Sequence, residues 1–303
     1  MTTHTPSRVM LLCMPGNETL AQGLASHLAA PCQPVDIHRF PDGESRVTLP
    51  ESVRGMQVAL VCSLVQPDDK LAALLFAADA ARELGATQVG LVAPYLAYMR
   101  QDTRFHPGEA VSSRTFASLL STHFDFLVTV DPHLHRFKTL DELYTIPSSV
   151  VAAAPAVASW IADHVPHPLL IGPDSESAQW IEATAARIGA PFTVLAKTRR
   201  GDEDVSVSLP SASNWLDRTP VLLDDIVSSA GTMIEAVDSV RRAGLPPPVC
   251  IAVHPVFAGT ALARLEATRP ARIVSCNTIA HRTNQIDVAA AIAERLAGHF
   301  AQS

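Results

Sequence analysis

The sequence has few charged residues and no excess of basic ones. Asp, Glu, Lys and Arg make up 17% of the 303 residues, and the formal net charge at pH 7 is -7. A long basic stripe of the kind that binds nucleic acid is therefore missing, and we expect no nucleic-acid partner. Any anionic ligand of this chain has to be held by a local group of residues.

Long apolar runs and paired cysteine motifs are also lacking. No run of about 18 apolar residues occurs, and the N-terminal sequence MTTHTPSR has no charged segment followed by a long apolar stretch. The five cysteines show no CxxC spacing and mostly lie in apolar runs, which is typical of buried free thiols and not of structural zinc sites. These absences predict a protein with no membrane partner, in a reducing cytoplasm.

The chain does contain a regular alternation of short apolar runs with helix-length amphipathic stretches. In the first half, this alternation predicts strands at 9–14, 58–62, 89–93 and 126–130, with helices at 18–28, 68–84 and 112–122. After Pro147 the pattern restarts, with strands at 169–172, 192–196, 221–223, 249–253 and 272–276, and helices ending at 163 and spanning 233–243 and 261–267. Such nearly continuous apolar strands predict an α/β fold with parallel sheets covered on both faces.

The length and the restart of the pattern predict two domains, 1–149 and 150–303. Each has the size of an ordinary α/β unit. Residues 201–214 are polar and contain Pro210, so they are the best candidate for a mobile loop or a protruding hairpin.

A strand, a loop of small residues and a helix start follow one another in VLLDDIVSSAGT at 221–232. Backbone N–H groups at a loop and helix N-terminus can converge on a phosphate, and acids at the strand end can accept hydrogen bonds from vicinal hydroxyls. The segment therefore suits a sugar phosphate, although an ordinary capped turn is the simpler interpretation. The candidate residues are Asp224, Asp225, Ser228, Ser229, Ala230, Gly231 and Thr232. No GxxxxGK[ST] sequence occurs, which excludes a P-loop kinase.

In full, DDIVSSAGT resembles the ribose-phosphate loop shared by phosphoribosyltransferases and ribose-phosphate diphosphokinases. Three further segments resemble the diphosphokinases alone, in that family's order and spacing: FPDGE at 40–44, PYLAYMRQD at 94–102 and TVDPH at 129–133. Together with NTI at 277–279, the resemblance covers nearly the whole chain. It implies two phosphoribosyltransferase-like domains, each with a mostly parallel sheet flanked by helices. It also implies a homo-oligomer that uses ATP and ribose 5-phosphate to make 5-phosphoribosyl 1-diphosphate and AMP.

Two of these segments are implied to form the ATP site. The residues in question are Phe40, Asp42, Glu44, Arg100, Gln101 and Asp102. The Phe40 ring can stack on adenine, and Asp42 and Glu44 can contact the base or close the site from a neighbouring subunit. The Arg100 guanidinium can pair with phosphate oxygens, and the Gln101 amide can contact the base or polar backbone. Each segment also has a simpler interpretation, because Pro-Asp-Gly is a strong turn sequence and Arg100 can form a surface ion pair with Asp102.

The resemblance further implies a magnesium cofactor that His133 helps to hold near the ATP phosphates. Asp174, which follows another predicted strand, is a candidate magnesium ligand or an acceptor for water bound to the ion. Magnesium prefers oxygen ligands and usually keeps several waters, so the histidine is the less usual of the two. His133 can instead cap the core, His135 is a competing ligand, and Asp174 can equally be a helix N-cap. Pro132 and Arg136 also depart from the residues usual in the family around the metal histidine.

Lys197 and Arg199 resemble the cations of the family's catalytic flexible loop. Two cations on a mobile loop suit a reaction whose main difficulty is accumulated negative charge, whereas an isolated basic residue at a strand exit is usually only solvated. No residue is nominated as a general base. Ser228 stands where many family members carry a third acid, and the segment 104–112 is closer to the archaeal-type branch. That departure leaves regulation by ADP or phosphate open.

Two other functions are compatible with parts of this pattern. A phosphoribosyltransferase needs the sugar-phosphate loop and would consume the diphosphate product. It does not need Arg100 and Gln101, His133, or the two loop cations. A regulatory paralogue would bind nucleotides or synthetases without turnover. The sequence leaves open the size of the oligomer and the use of other diphosphate donors or pentose phosphates.

Overall fold

The computed structural model describes residues 8–174, 177–200, 204–208 and 212–301. Contacts divide the chain into two compact units. Unit 1 comprises Met1–Val151, Thr278–Ala280 and Ala289–Ser303, and unit 2 comprises Ala152–Asn277 and His281–Val288. The linear division into 1–149 and 150–303 remains a prediction about domains, since these contacts place the last helix with the first unit.

The elements alternate between strands and helices along the chain. The strands are β1 (Val9–Cys13), β2 (Cys32–Pro34), β3 (Asp36–Arg39), β4 (Ser45–Thr48), β5 (Gln57–Val61), β6 (Gln88–Ala93), β7 (Leu127–Val130), β8 (Ser148–Val151), β9 (Pro168–Gly172), β10 (Phe192–Val194), β11 (Ala196–Arg200), β12 (Asp204–Ser208), β13 (Thr219–Val227), β14 (Val249–Pro255), β15 (Arg272–Cys276) and β16 (Asn284–Ile286). The α-helices are α1 (Glu18–Leu28), α2 (Asp68–Glu83), α3 (Ser112–His123), α4 (Ala154–His164), α5 (Ala178–Ile188), α6 (Gly231–Arg242), α7 (Ala261–Ala267) and α8 (Ala289–Phe300). Short 3-10 helices lie at Glu51–Val53, Leu140–Glu142 and Ala212–Trp215.

Unit 1 is built on a six-stranded sheet in the order β2-β1-β5-β6-β7-β8, and each pairing in it is parallel. Its central strands are buried on both faces, which accounts for their continuous apolar sequences. Gly90 in β6 is needed for packing, because a Cβ there would lie 2.0 Å from the ring of buried Phe126. Outside the sheet, β3 and β4 form a separate antiparallel hairpin.

The helices of unit 1 bury the face that their apolar spacing defines. In α3, Phe116, Ala117 and Leu120 are buried together on one side of the helix. The C-terminal helix α8 packs against α1 and the β7–β8 edge of the sheet. There His299 stacks on Phe126 with ring centroids 4.5 Å apart, and the His299 Nε2 atom lies 2.9 Å from the Ser149 hydroxyl.

Unit 2 repeats the plan with a six-stranded sheet in the order β10-β9-β13-β14-β15-β16, again with parallel pairings. Its core forms where α6 and α7 cover β13 and β14. Met233, Ala236, Val237 and Val240 give α6 a buried face at helical spacing. The predicted α/β fold class, with two units that each contain a parallel sheet flanked by helices, is thus confirmed.

The strands and helices predicted from periodicity are found within a few residues of their expected ends. One predicted strand, 192–196, is two elements, because β10 ends at Val194 and β11 begins at Ala196. β11 pairs with β12 as an antiparallel hairpin, so the described part of 201–214 includes a hairpin arm. Residues 201–203 and 209–211 lie outside the described structure.

Two further observations concern the lengths of the helices and the state of the cysteines. In the described ranges, every helix is too short or too polar to traverse a lipid bilayer. The five cysteines are free thiols, and Cys32 is half-buried while the others are buried.

Candidate active site

The predicted site residues mostly follow the carboxyl ends of parallel strands, where α/β sheets bind their ligands. In unit 1, residues 100–102 follow β6 and His133 follows β7. In unit 2, Asp174 follows β9, and the acid pair lies near the end of β13, before its small-residue loop. The common position at strand ends follows from the apolar runs that precede each motif.

Left-handed backbone occurs at the same strand ends in residues other than glycine. Tyr98 after β6 has φ 63° and Asp131 after β7 has φ 31°. Ala230 after β13 has φ 61° and Phe257 after β14 has φ 38°. Such conformations cost free energy for residues with a Cβ and tend to persist at functional sites.

The tip of the β3–β4 hairpin brings together Phe40, Asp42 and Glu44. The Phe40 N–H donates to the Glu44 carbonyl at 2.8 Å, and the Glu44 N–H donates to Asp42 Oδ1 at 3.1 Å. Gly43 has φ 92°, a value that favours glycine, so the Pro-Asp-Gly sequence does form the turn. The Phe40 side chain is 39% exposed and meets the His38 ring edge-on at 4.7 Å. An exposed aromatic ring on a hairpin tip is available to stack on a planar ligand.

The turn at 100–102 presents its three side chains differently. Arg100 is exposed, whereas the Gln101 amide donates to the Thr103 carbonyl at 3.2 Å and to Glu109 Oε2 at 3.3 Å. Asp102 is buried, and its described ion pair is with Arg136 at 3.2 Å rather than with Arg100. The roles of Glu109 and Arg136 here could not be read from the sequence, because both contacts depend on the fold of separate segments.

His133 and His135 lie side by side after β7. His135 Nε2 is 3.2 Å from His133 Nδ1, and the ring centroids are 3.7 Å apart. His133 is half-buried and His135 is exposed. Because the two imidazoles are in contact, either ring could bind a metal ion at this position. The choice of His133 as the metal ligand stays a prediction.

The acid pair of unit 2 lies near the end of β13. The Asp225 N–H donates to Asp224 Oδ1 at 3.1 Å, and the Ile226 N–H donates to Asp225 Oδ1 at 2.7 Å. Burial, then the negative charge of Asp225 and then that of Asp174, raise the pKa of Asp224 well above its ordinary value. The site therefore concentrates negative charge that a cation or hydroxyl donors would relieve.

The small-residue loop leads directly into α6. Ala230 caps the helix in a left-handed conformation, and the N–H groups of its first turn have no partner within the helix. These donors and the positive end of the helix dipole can bind an anion. Ser228 is half-buried and Ser229 is exposed, while Gly231 and Thr232 are half-buried in the first turn.

The loop after β14 is hydrogen-bonded to the end of β13 and to the start of the small-residue loop. The Phe257 N–H donates to the Val227 carbonyl at 2.9 Å, and the Ala258 N–H donates to the Ser228 carbonyl at 3.0 Å. These two hydrogen bonds could not be predicted from the sequence, in which the local signal is the short turn sequence AGT at 258–260.

Asp174 is held by the chain that enters α5. Its Oδ1 accepts a hydrogen bond from the Ser177 N–H at 3.3 Å, and its carbonyl accepts from the Ser177 hydroxyl at 2.6 Å. Asp174 also adds to the negative potential at Asp224. Among the residues that the structure describes, no group of three or more His, Cys, Asp or Glu side chains forms a complete metal cage.

The two predicted catalytic cations belong to the β11 strand. In the β11–β12 hairpin, Lys197 pairs with Val207 and Arg199 pairs with Val205 through the backbone. Their side chains lie outside the described part of the structure. Their role stays a prediction from sequence.

The chain matches two known protein families in sequence. Residues 9–123 match the N-terminal domain of ribose phosphate pyrophosphokinase, and residues 139–290 match the phosphoribosyl transferase domain. A protein named ribose-phosphate pyrophosphokinase from Methanopyrus kandleri is 34% identical over 278 residues, which are 91% of this chain and 94% of that protein. Another of that name, from Halobacterium salinarum, is 33% identical over 289 residues, or 95% of this chain and 100% of that protein.

A solved structure has the same fold. The phosphoribosylpyrophosphate synthetase from Mycobacterium smegmatis superposes with a TM-score of 0.84, covering 97% of this chain and 99% of that one. Their sequences are 24% identical. The similarity extends over both units, so it is not confined to the small-residue loop before α6.

Proposed function

We propose that this chain, which belongs to the ribose-phosphate pyrophosphokinase family, transfers the diphosphate of ATP to the anomeric hydroxyl of ribose 5-phosphate. The products would be 5-phosphoribosyl 1-diphosphate and AMP. The observation that carries the proposal is the junction of β13 and α6, where two carboxylates precede a helix start with available N–H donors. A match to the family's N-terminal domain in the same chain favours a synthetase over a phosphoribosyltransferase.

Ribose 5-phosphate would bind at this junction. The N–H groups at the start of α6 and the hydroxyls of Ser228, Ser229 and Thr232 would hold the 5-phosphate, with Ala230 and Gly231 shaping the turn. Asp224 and Asp225 would accept hydrogen bonds from the ribose hydroxyls. This arrangement fixes the sugar at both ends and so orients its anomeric hydroxyl.

ATP would be recognised by unit 1. Exposed Phe40 can stack on adenine, with Asp42 and Glu44 at the same hairpin tip as acceptors for its amino group. Exposed Arg100 can pair with phosphate oxygens, and Gln101 can contact the nucleotide.

Magnesium fits the oxygen donors at unit 2. Asp174 adds to the negative charge around Asp224, and magnesium is commonly bound by one or two carboxylates together with substrate phosphates and water. A full protein cage is therefore not required. When bound, the ion would neutralise phosphate charge as the diphosphate moves. In unit 1, His133 would help to hold magnesium near the ATP phosphates, and His135 is its neighbour.

Lys197 and Arg199 would supply the catalytic charge. The reacting group carries negative charge that is redistributed in the transition state, and cations placed there stabilise it more than the ground state. We further propose that the protein is a homo-oligomer and acts in the cytoplasm, as its free thiols suggest.

The test is to incubate purified protein with ATP, magnesium and ribose 5-phosphate, and to separate the nucleotide products. AMP should appear in an amount equal to phosphoribosyl diphosphate, and only when the sugar phosphate and magnesium are both present. Release of ADP would refute diphosphate transfer. Phosphoribosyl diphosphate consumption with a free base, without AMP formation from ATP, would favour the phosphoribosyltransferase alternative.

The assignment of the sugar site has its own variant. Asp225→Asn should raise the KM for ribose 5-phosphate more than the KM for ATP, because a neutral amide loses the charge-assisted hydrogen bonds to hydroxyls. Asp238→Asn is the matched control, since Asp238 is an exposed acid on α6 that pairs with Arg241. Equal kinetics in wild type and Asp225→Asn would remove this residue from the site.

A further inference from the structure

Two segments implicated in nucleotide and metal binding leave adjacent strands of unit 1. β6 and β7 are parallel neighbours, with Ala93 opposite Thr129. Immediately beyond this pair, the Val130 N–H donates to the Pro94 carbonyl at 3.2 Å. The turn that contains Arg100 and the segment that contains His133 therefore start from the same place on the sheet edge.

One ion pair joins the two segments again farther along. Asp102 and Arg136 are 34 residues apart in sequence, and Arg136 Nε lies 3.2 Å from Asp102 Oδ1. The Asp102 side chain is only 7% exposed, whereas that of Arg136 is 57% exposed. A buried carboxylate is costly unless a cation and hydrogen bonds compensate it, so Asp102 depends on this contact more than Arg136 does.

The backbone of the turn is fixed on its other side. The Gln101 N–H donates to the Tyr98 carbonyl at 3.2 Å, and the Gln101 carbonyl accepts from the Ser113 N–H at the start of α3 at 3.3 Å. With these bonds in place, a change at Asp102 is transmitted to the neighbouring residues and not absorbed by a loose loop. Arg100 and Gln101 are those neighbours.

We propose that Arg136 is a positioning residue for ATP. Asp102 contributes through its ion pair with Arg136 and does not contact the nucleotide. The ion pair holds the Arg100–Asp102 turn against the His133 segment, so that the groups which contact the ATP phosphates keep one arrangement. This inference rests on the proposed use of ATP. Loss of Arg136 leaves a buried negative charge beside the site of an anionic substrate, which both loosens the turn and repels the substrate.

A double-mutant cycle tests the pair. Arg136→Gln and Asp102→Asn should each raise the KM for ATP at least about fivefold while the KM for ribose 5-phosphate changes less than about twofold. The double variant should be no worse than the poorer single variant, because both changes remove the same contact. Arg82→Gln is the matched control, since it breaks another ion pair of unit 1, with Asp125 at 2.9 Å, away from these strand ends.

Several outcomes would overturn the inference. If Arg136→Gln weakens ATP use equally in wild type and in Asp102→Asn, Arg136 contacts the nucleotide directly. If the variants lower the melting temperature but leave both KM values unchanged, the pair is only structural. Since Arg136 is exposed, Arg136→Gln is the variant that should stay folded if Asp102→Asn does not.

Binding of magnesium-ATP, measured by titration calorimetry, separates this inference from the proposed function. A wild type that binds magnesium-ATP without making AMP would refute the proposed function, and the same fivefold loss of affinity in Arg136→Gln would still support the positioning role. A wild type that binds no magnesium-ATP refutes both. Unchanged affinity in Arg136→Gln, with normal turnover in wild type, refutes the positioning role alone.

Discussion

Replacing Asp224 with asparagine should make the ligand-free protein more stable while it impairs the use of ribose 5-phosphate. In the folded chain, burial and the charges of Asp225 and Asp174 all disfavour the ionised carboxylate, so its pKa is raised. Asparagine has nearly the same shape, carries no charge and can still accept the hydrogen bond from the Asp225 N–H that is 3.1 Å long in wild type. The substitution therefore removes repulsion and leaves the local hydrogen bond.

The sign of the pH dependence follows from the raised pKa. The carboxyl group of the unfolded chain titrates near 3.8, whereas the folded one keeps its proton to higher pH. The wild-type free energy of unfolding should thus fall as the pH rises from this value through the raised folded pKa, and then level off. The amide introduced by Asp224→Asn cannot titrate, so the advantage of the variant should be absent at low pH and grow toward neutral pH.

The expected gain is about 1 kcal/mol, within the range of about 0.5 to 2 kcal/mol found for single stabilising changes. That corresponds to a rise in melting temperature of about 2 to 4 °C for a unit of this size. The assay is thermal unfolding by circular dichroism at several pH values, without ligand, for wild type and Asp224→Asn.

Asp238→Asn serves as the control, because Asp238 is an exposed acid paired with Arg241 on the same unit. It should change stability by no more than about 0.5 kcal/mol. A lower melting temperature in Asp224→Asn, or a difference from wild type that does not vary with pH, would refute this reasoning. It would show that burial and the neighbouring charges do not destabilise the ionised Asp224 carboxylate.

Three further results are expected. Lys197→Ala and Arg199→Ala should each lower kcat by about 100- to 1000-fold with little change in either KM, because a contact made only in the transition state is typically worth about 3 to 4 kcal/mol. Lys138→Ala, at an exposed lysine, is the control. A kcat within about threefold of wild type in both loop variants would refute the catalytic assignment. Gly90→Ala should destabilise unit 1 by about 1 to 3 kcal/mol because its Cβ would lie 2.0 Å from the Phe126 ring, whereas Gly298→Ala, in open space on α8, should be neutral or stabilising in the same thermal melt. Leu296→Ala should cost about 2 to 5 kcal/mol in urea unfolding, since this fully buried side chain attaches α8 to unit 1, and a loss below about 1 kcal/mol would contradict that packing.

Local patterns in the sequence are sufficient for the helices and most sheet strands. The bounds of α1 and α7 match the predicted 18–28 and 261–267, because an amphipathic period or a continuous apolar run is set by neighbouring residues. The same local information identifies the strand-loop-helix at Asp224 and places it at a strand end. It also predicts two similar α/β units, since the alternation restarts after Pro147.

Short strands and remote pairings could not be predicted in this way. β8 and β16 have only a few residues and become strands through pairing with β7 and β15. The position of α8 in unit 1 depends on buried contacts with residues far away in the sequence, such as the stacking of His299 on Phe126. Such contacts leave no local period to read.

In the candidate site, too, some features follow from the local sequence and others from tertiary contacts. The sequence alone determined which residue types gather at the strand ends, and hence the chemistry of acids, hydroxyls and helix-start amides. Only the tertiary structure decided that Asp102 is buried against Arg136, and that the Phe257 and Ala258 amides support the loop at Val227 and Ser228. The physical reason is that residue type follows from the chain itself, whereas burial and the partners of a charge are set by segments that only folding brings together.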